Sequence, residues 1–171
     1  MRSRTLLAPI AIITILGSSI SWRHERRSLL TFQFQYAAKV VCGMPRQLIL
    51  PGRPAPPPPP VVTQAYATSI NVNNPSDSLT VFLRKRLVIT YPPGFQIPQK
   101  ALGPVNDSLV ATYALLTDCS DLRRRFALAQ PFFEGFVVIQ SALPLDVTAV
   151  FTVAGGIDVV PVAERKIFVG Q

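Results

Sequence analysis

Residues 79–91 read LTVFLRKRLVITY, and the alternation in this stretch decides the fold class. Leu79, Val81, Leu83, Leu87, Ile89 and Tyr91 share one parity, broken only by Lys85, while Arg84 and Arg86 take the other. Side chains that change sides at every residue, with one side apolar, describe a strand that buries one face. Turn chemistry bounds the run on both sides: Asn73-Asn74-Pro75-Ser76-Asp77 before it, Pro92-Pro93-Gly94 after it. A lysine on the apolar parity predicts a sheet edge, where charge discourages pairing with foreign strands.

The same period recurs on either side. Leu30, Phe32, Phe34 and Tyr36 alternate with Thr31, Gln33 and Gln35, and an apolar run continues to Cys42 before Gly43-Met44-Pro45 breaks it. Tyr66, Thr68, Ile70 and Val72 line one face of another strand. A further strand is predicted over 109–116, closing on Asp118-Cys119-Ser120-Asp121. The runs 136–140 and 147–153 read as a hairpin around Ser141-Ala142-Leu143-Pro144, and two short strands, 157–160 and 166–169, follow Gly155-Gly156. Only 121–130 suggests a helix, with Asp121 or Ser120 as its cap and Pro131 as its stop. Seven to nine strands without alternating helices predict an all-β protein, a single antiparallel β-sandwich of the immunoglobulin or jelly-roll kind.

The chain has 171 residues, 49% of them hydrophobic and 15% charged, which fits one domain with a proper core. Arg2 and Arg4 precede an apolar run, Leu6 to Ile20, that ends among Gly17, Ser18, Ser19 and Ser21. A charged start, an apolar centre and small residues after it predict a signal peptide over 1–21. The alternative is an uncleaved anchor over 5–22. Fifteen helical residues rise roughly 22 Å, however, short of the ~30 Å hydrocarbon layer. Residues 22–35 form an N-terminal arm or first strand, and 36–171 the sandwich. Within it, 51–60 carries seven prolines and predicts a stiff polyproline loop outside the sheets, the alternative being a docking segment for a proline-binding groove. The expected location is exported: periplasmic, cell-surface or extracellular.

A net charge of +8 raises nucleic acid or an anionic surface as partners. Removing 1–21 takes away Arg2 and Arg4 and leaves a net charge of +6, spread along the chain with two short clusters, Arg84-Lys85-Arg86 and Arg123-Arg124-Arg125, instead of one broad stripe. Neither has the interleaved aromatic residues of a nucleic-acid platform, which argues against nucleic acid. Arg84, Arg86, Arg123, Arg124 and Arg125 are basic surface candidates for an anionic glycan or lipid surface. A nucleophile relay needs a base, and the single histidine, His24, sits in the arm. No metalloprotease helix, serine elbow, phosphate loop or dinucleotide glycine pattern is present. No catalytic residue, cofactor or metal is expected. Asp118 and Asp121 are weak calcium candidates whose competing reading is helix capping. Cys42 and Cys119 are a disulfide candidate, the alternatives being free thiols or a bridge between subunits.

Three segments carry a resemblance: 36–43 (YAAKVVCG), 68–76 (TSINVNNPS) and 135–152 (GFVVIQS running on to LDVTAVFT). Together they resemble a group of small uncharacterised exported bacterial β-sandwich proteins, over about 36–165 without the proline tract. That resemblance implies no activity, and it implies that the two cysteines pair. At the level of fold alone, the Asn-Pro-Ser turn before a basic strand, with a later GFVVIQS strand, is similar to the sandwiches of sensory rhodopsin transducers, which are binding and oligomerising modules. Two functions follow as expectations. The first is a non-catalytic structural or interaction module with a protein partner or its own copies. The second is an extracytoplasmic domain that binds or hydrolyses carbohydrate, with Trp22, Tyr66, Tyr91 and Tyr113 as stacking candidates.

Overall fold

The computed structural model describes residues 32–45, 64–90 and 99–167. The predicted signal segment, the proline tract and His24 lie outside them. The described chain forms nine strands and one helix: β1 (Phe34–Cys42), β2 (Tyr66–Asn73), β3 (Val81–Thr90), β4 (Leu102–Leu109), β5 (Ala114–Asp118), α1 (Cys119–Phe126), β6 (Phe133–Ser141), β7 (Asp146–Val153), β8 (Gly156–Pro161) and β9 (Glu164–Lys166). They build two antiparallel sheets, one in the order β4-β3-β6-β1-β9 and the other β5-β2-β7-β8. The fold is therefore all-β, as the period of two predicts.

Alternation explains what lies between the sheets. Tyr36, Ala38, Val40 and Cys42 of β1, Leu83 and Leu87 of β3, and Val137 and Ile139 of β6 point inward from the five-stranded sheet. Ile70 and Val72 of β2 meet them from the other sheet with Val147 and Ala149 of β7, all in one buried cluster. Gly135 lies in the middle of β6 because a Cβ there would meet the Val88 carbonyl oxygen at 2.1 Å. All connections but β3–β4 and β7–β8 pass from one sheet to the other.

Four sequence expectations need correction. The stretch 109–116 is not one strand: β4 ends at Leu109, residues 110–113 turn, and β5 begins at Ala114. Alternation is blind to that turn because Thr112 adopts a positive φ of 62° without a glycine to announce it. β4 itself carries no apolar alternation in the sequence, since it holds Gly103, Pro104, Asn106, Asp107 and Ser108. It is an edge strand, where a proline and polar residues cost no ladder. The helix starts at Cys119, not Asp121. Asp118 caps it by accepting a 2.8 Å hydrogen bond from the Asp121 amide, and Ala127 ends it in the left-handed conformation, ahead of Pro131.

The predicted β6–β7 hairpin is absent as well. β6 pairs with β1 and β3, whereas β7 pairs with β2 and β8. A short apolar link serves a hairpin or a crossing equally well. Here buried Leu145 anchors the crossing, with its amide bonded to the Tyr36 hydroxyl at 2.8 Å. The real hairpin joins β7 to β8 and turns at Gly155, whose φ of +95° suits glycine. Finally, Lys85 guards no edge, because β3 lies between β4 and β6.

The two sheets are stitched at one corner. Gly43 and Tyr66 exchange backbone hydrogen bonds of 2.8 and 2.9 Å. The Thr68 hydroxyl accepts from the Val41 amide and donates to the Val41 carbonyl, both at 3.0 Å. Cys42 and Cys119 are bonded to each other there, so the end of β1 is tied to the start of α1 across 77 positions. At the opposite end Asn74, fully buried, donates to the carbonyls of Leu79, Leu109 and Val110 and accepts from the Ser76 amide. It thereby locks the β2–β3 and β4–β5 turns together.

Candidate functional site

The densest group of charges lies inside the five-stranded sheet. The Lys85 ammonium, 2% exposed, pairs with Asp107 Oδ2 at 2.7 Å and donates to Thr117 Oγ1 at 3.1 Å. From α1, Arg125 closes on both oxygens of the same carboxylate at 2.7 and 2.9 Å. Burial would raise the pKa of Asp107, but hydrogen bonds and charge from Lys85 and Arg125 outweigh it and hold the carboxyl below its ordinary range. A carboxylate kept ionised between two cations has no proton to give. The arrangement joins β3, β4, β5 and α1 as a strut, and its chemistry is electrostatic.

The arginine triplet divides along α1. Arg123 donates to the carbonyls of Gln130 and Pro131 and lies over the Phe133 ring at 5.1 Å. Arg124 pairs with Asp121, and Arg125 with Asp107. All three are tied to groups of this chain. Asp118 holds the helix cap and Asp121 holds Arg124, so each calcium candidate has an intramolecular partner. Among the described residues no three His, Cys, Asp or Glu side chains gather as a metal group. Tyr36 is a further buried polar group: its hydroxyl donates to Glu164 Oε2 at 2.9 Å, and burial, with Glu164, pushes its pKa up to about 12. Of the stacking candidates, Tyr66 is half-buried and Tyr113 exposed at the β4–β5 turn, while Trp22 and Tyr91 lie outside the described residues.

Arg84 and Arg86 behave differently. Both point away from the core, onto the outer face of the five-stranded sheet. Register places Asn106, Arg84, Gln140, Gln35 and Arg165 opposite one another in a single row across β4, β3, β6, β1 and β9. The Arg84 guanidinium stacks on Phe32 at 4.5 Å, and its buried Nε–H finds no acceptor among the described residues. Gln140 donates to Gln35 at 3.3 Å. Further along the face Lys39 lies over Phe136 and pairs with Glu134, the one carboxylate among the described residues there, which Thr90 also holds. The sequence names Arg84 and Arg86. Gln35, Gln140, Lys39 and Arg165 escape it, because strand order is needed to bring them onto one face.

The other sheet ends in a contrasting feature. β8 pairs with β7 alone, and all six of its residues are exposed, Ile157 at 72% and Val159 at 58%. Ile157, Val159 and Pro161 share the outer parity with Thr152, Val150 and Thr148 of β7. An edge of unpaired amides and carbonyls bearing β-branched side chains is a template for another strand. Its only charge is Asp158. The sequence contains the signal, a short apolar run after a glycine pair, but not its position at the rim. Among the described residues no helix is long and apolar enough to cross a membrane. A scan against protein-family models finds no match, and searches of curated proteins and of solved structures find none either.

Proposed function

We propose that the protein is an exported, non-catalytic interaction module that associates with its own copies through the β8 edge. The observation that carries this reading is the bare, apolar, six-residue edge of the four-stranded sheet. Antiparallel pairing about a two-fold axis at Val159 sets Val159 against its mate and Ile157 against Pro161. It sets Asp158 against Val160, which avoids an acid facing an acid. The disulfide supports a compartment outside the cytoplasm, since such bonds persist in oxidising surroundings. Two-sheet β-sandwiches are scaffolds that serve recognition as readily as chemistry, which leaves this reading open to the fold.

Sedimentation equilibrium on the chain lacking residues 1–21 tests the reading. The wild type is expected to dimerise as concentration rises, and Val159→Lys to remain monomeric with an unchanged melting temperature. A wild type that stays monomeric at the highest attainable concentration, or a V159K variant that associates as well as the wild type, refutes it.

A further inference from the structure

We infer that the outer face of the five-stranded sheet binds an acidic polysaccharide, gripped by the row Arg84–Gln140–Gln35–Arg165 with Arg86 beside it. The row spans three strand spacings of roughly 4.8 Å, which sets the two terminal arginines about 14 Å apart at the backbone. Among the described residues no carboxylate lies within ion-pair distance of Arg84, Arg86 or Arg165, in contrast with Arg124 and Arg125 of α1, whose charges are matched. Glu134, the one acid among the face's described residues, is held by Lys39 and Thr90. The face therefore carries unmatched positive charge on a flat surface.

Side-chain chemistry narrows the class of ligand. Guanidinium forks recognise carboxylate and sulfate groups through paired hydrogen bonds. Stacking on Phe32 fixes the plane of Arg84, and because its Nε is buried, the two terminal amino groups are what it can offer to a ligand. Between the arginines stand two amides, each able to donate to and accept from a hydroxyl. Anion, hydroxyls, anion is the pattern that an acidic sugar chain presents. Phe82, two residues before Arg84 on the same parity and half-exposed, offers an apolar shoulder to a sugar ring. Phe32 lies under Arg84 and Phe136, partly exposed, under Lys39, so the face lacks the run of open rings on which successive bases stack, which disfavours single-stranded nucleic acid. The exposed Ile157 and Val159 lie on the other sheet, so they cannot help this face enter a bilayer. The inference does not rest on pairing through β8.

Titration calorimetry on the chain lacking residues 1–21 provides the test. The probes are oligogalacturonate for the carboxylated class and a heparin oligosaccharide for the sulfated class, with dextran as the neutral control. Anionic phospholipid vesicles and single-stranded DNA stand as rivals. Binding of at least one acidic glycan is expected, weakening with salt, with none for dextran. The double variant Arg86→Gln/Arg165→Gln should lose about a hundredfold in affinity, near tenfold for each charge-assisted hydrogen bond, with its melting temperature unchanged. Arg165→Gln alone, on an exposed edge strand, keeps the test valid should the double variant fold poorly. Arg124→Gln should bind like the wild type. Failure of both glycans to bind at low salt, equal losses in R124Q, or binding confined to vesicles or DNA overturns the inference.

Discussion

Replacing Asp107 by asparagine is expected to cost far more stability than replacing its buried partner Lys85 by methionine. In the folded chain the Lys85 ammonium is 2% exposed and rests on Asp107 at 2.7 Å and Thr117 at 3.1 Å. Asp107→Asn leaves that cation buried without a countercharge, a loss of about 3–5 kcal/mol. Against a total of about 5–15 kcal/mol for a domain, this is a large fraction. Lys85→Met removes the charge and keeps most of the aliphatic stem. Asp107 loses Lys85 but keeps Arg125 on both oxygens, and the Thr117 hydroxyl loses a donor, so the loss should be about 1 kcal/mol or less. The double variant should recover most of what D107N loses, because Arg125, more exposed than Lys85, can turn to water. Urea unfolding of the four proteins closes the cycle. A K85M variant as unstable as D107N, or a double variant no better than D107N, refutes the reasoning and makes the lysine itself the source of stability.

The same carboxylate gives a pH dependence. Its pKa is lowered in the folded state, so its contribution is complete above the unfolded value near 4 and is lost as pH falls through the folded value; acid unfolding of D107N should lack that slope. Tyr36 acts in the opposite sense: with its pKa pushed from 10.0 to about 12, its contribution is complete below pH 10 and declines between the two values, and Tyr36→Phe should flatten the alkaline limb of a stability-versus-pH curve. Reducing the Cys42–Cys119 bond, which spans 77 positions, should lower stability by about 4–5 kcal/mol in the chain-entropy account, read from urea midpoints with and without reductant. Asn74→Asp sets a carboxylate against three carbonyl oxygens and should cost about 3 kcal/mol or more, whereas an equal stability by thermal melting would show that the two turns do not depend on that amide.

The inward faces of β1, β2 and β3 were legible because a half-buried strand writes its own period into the sequence. The residues that interrupt the period are where reading failed. Lys85 sits on the apolar parity, and only the coordinates reveal that Asp107, from a strand disguised by Gly103 and Pro104, neutralises it. Partner choice was equally hidden. Phe136 to Gln140 and Val147 to Val153 alternate as hairpin strands would, yet they belong to different sheets. The cysteines are an intermediate case. Their number invited a bridge, and the corner formed by Gly43, Tyr66 and Thr68 brings them to bonding distance. The candidate surfaces depend wholly on strand order: Arg165 joins Arg84 only because β9 lies beside β1, and β8 is an edge because no strand among the described residues follows it in its sheet.

Amide hydrogen exchange in β8, followed residue by residue over a range of protein concentrations, tests the self-association reading most directly. The β8 amides that do not bond to β7 should exchange freely in dilute solution and become protected as concentration rises, in step with the dimer seen by sedimentation. Rates at those amides that stay fast and independent of concentration would contradict a dimer built on this edge.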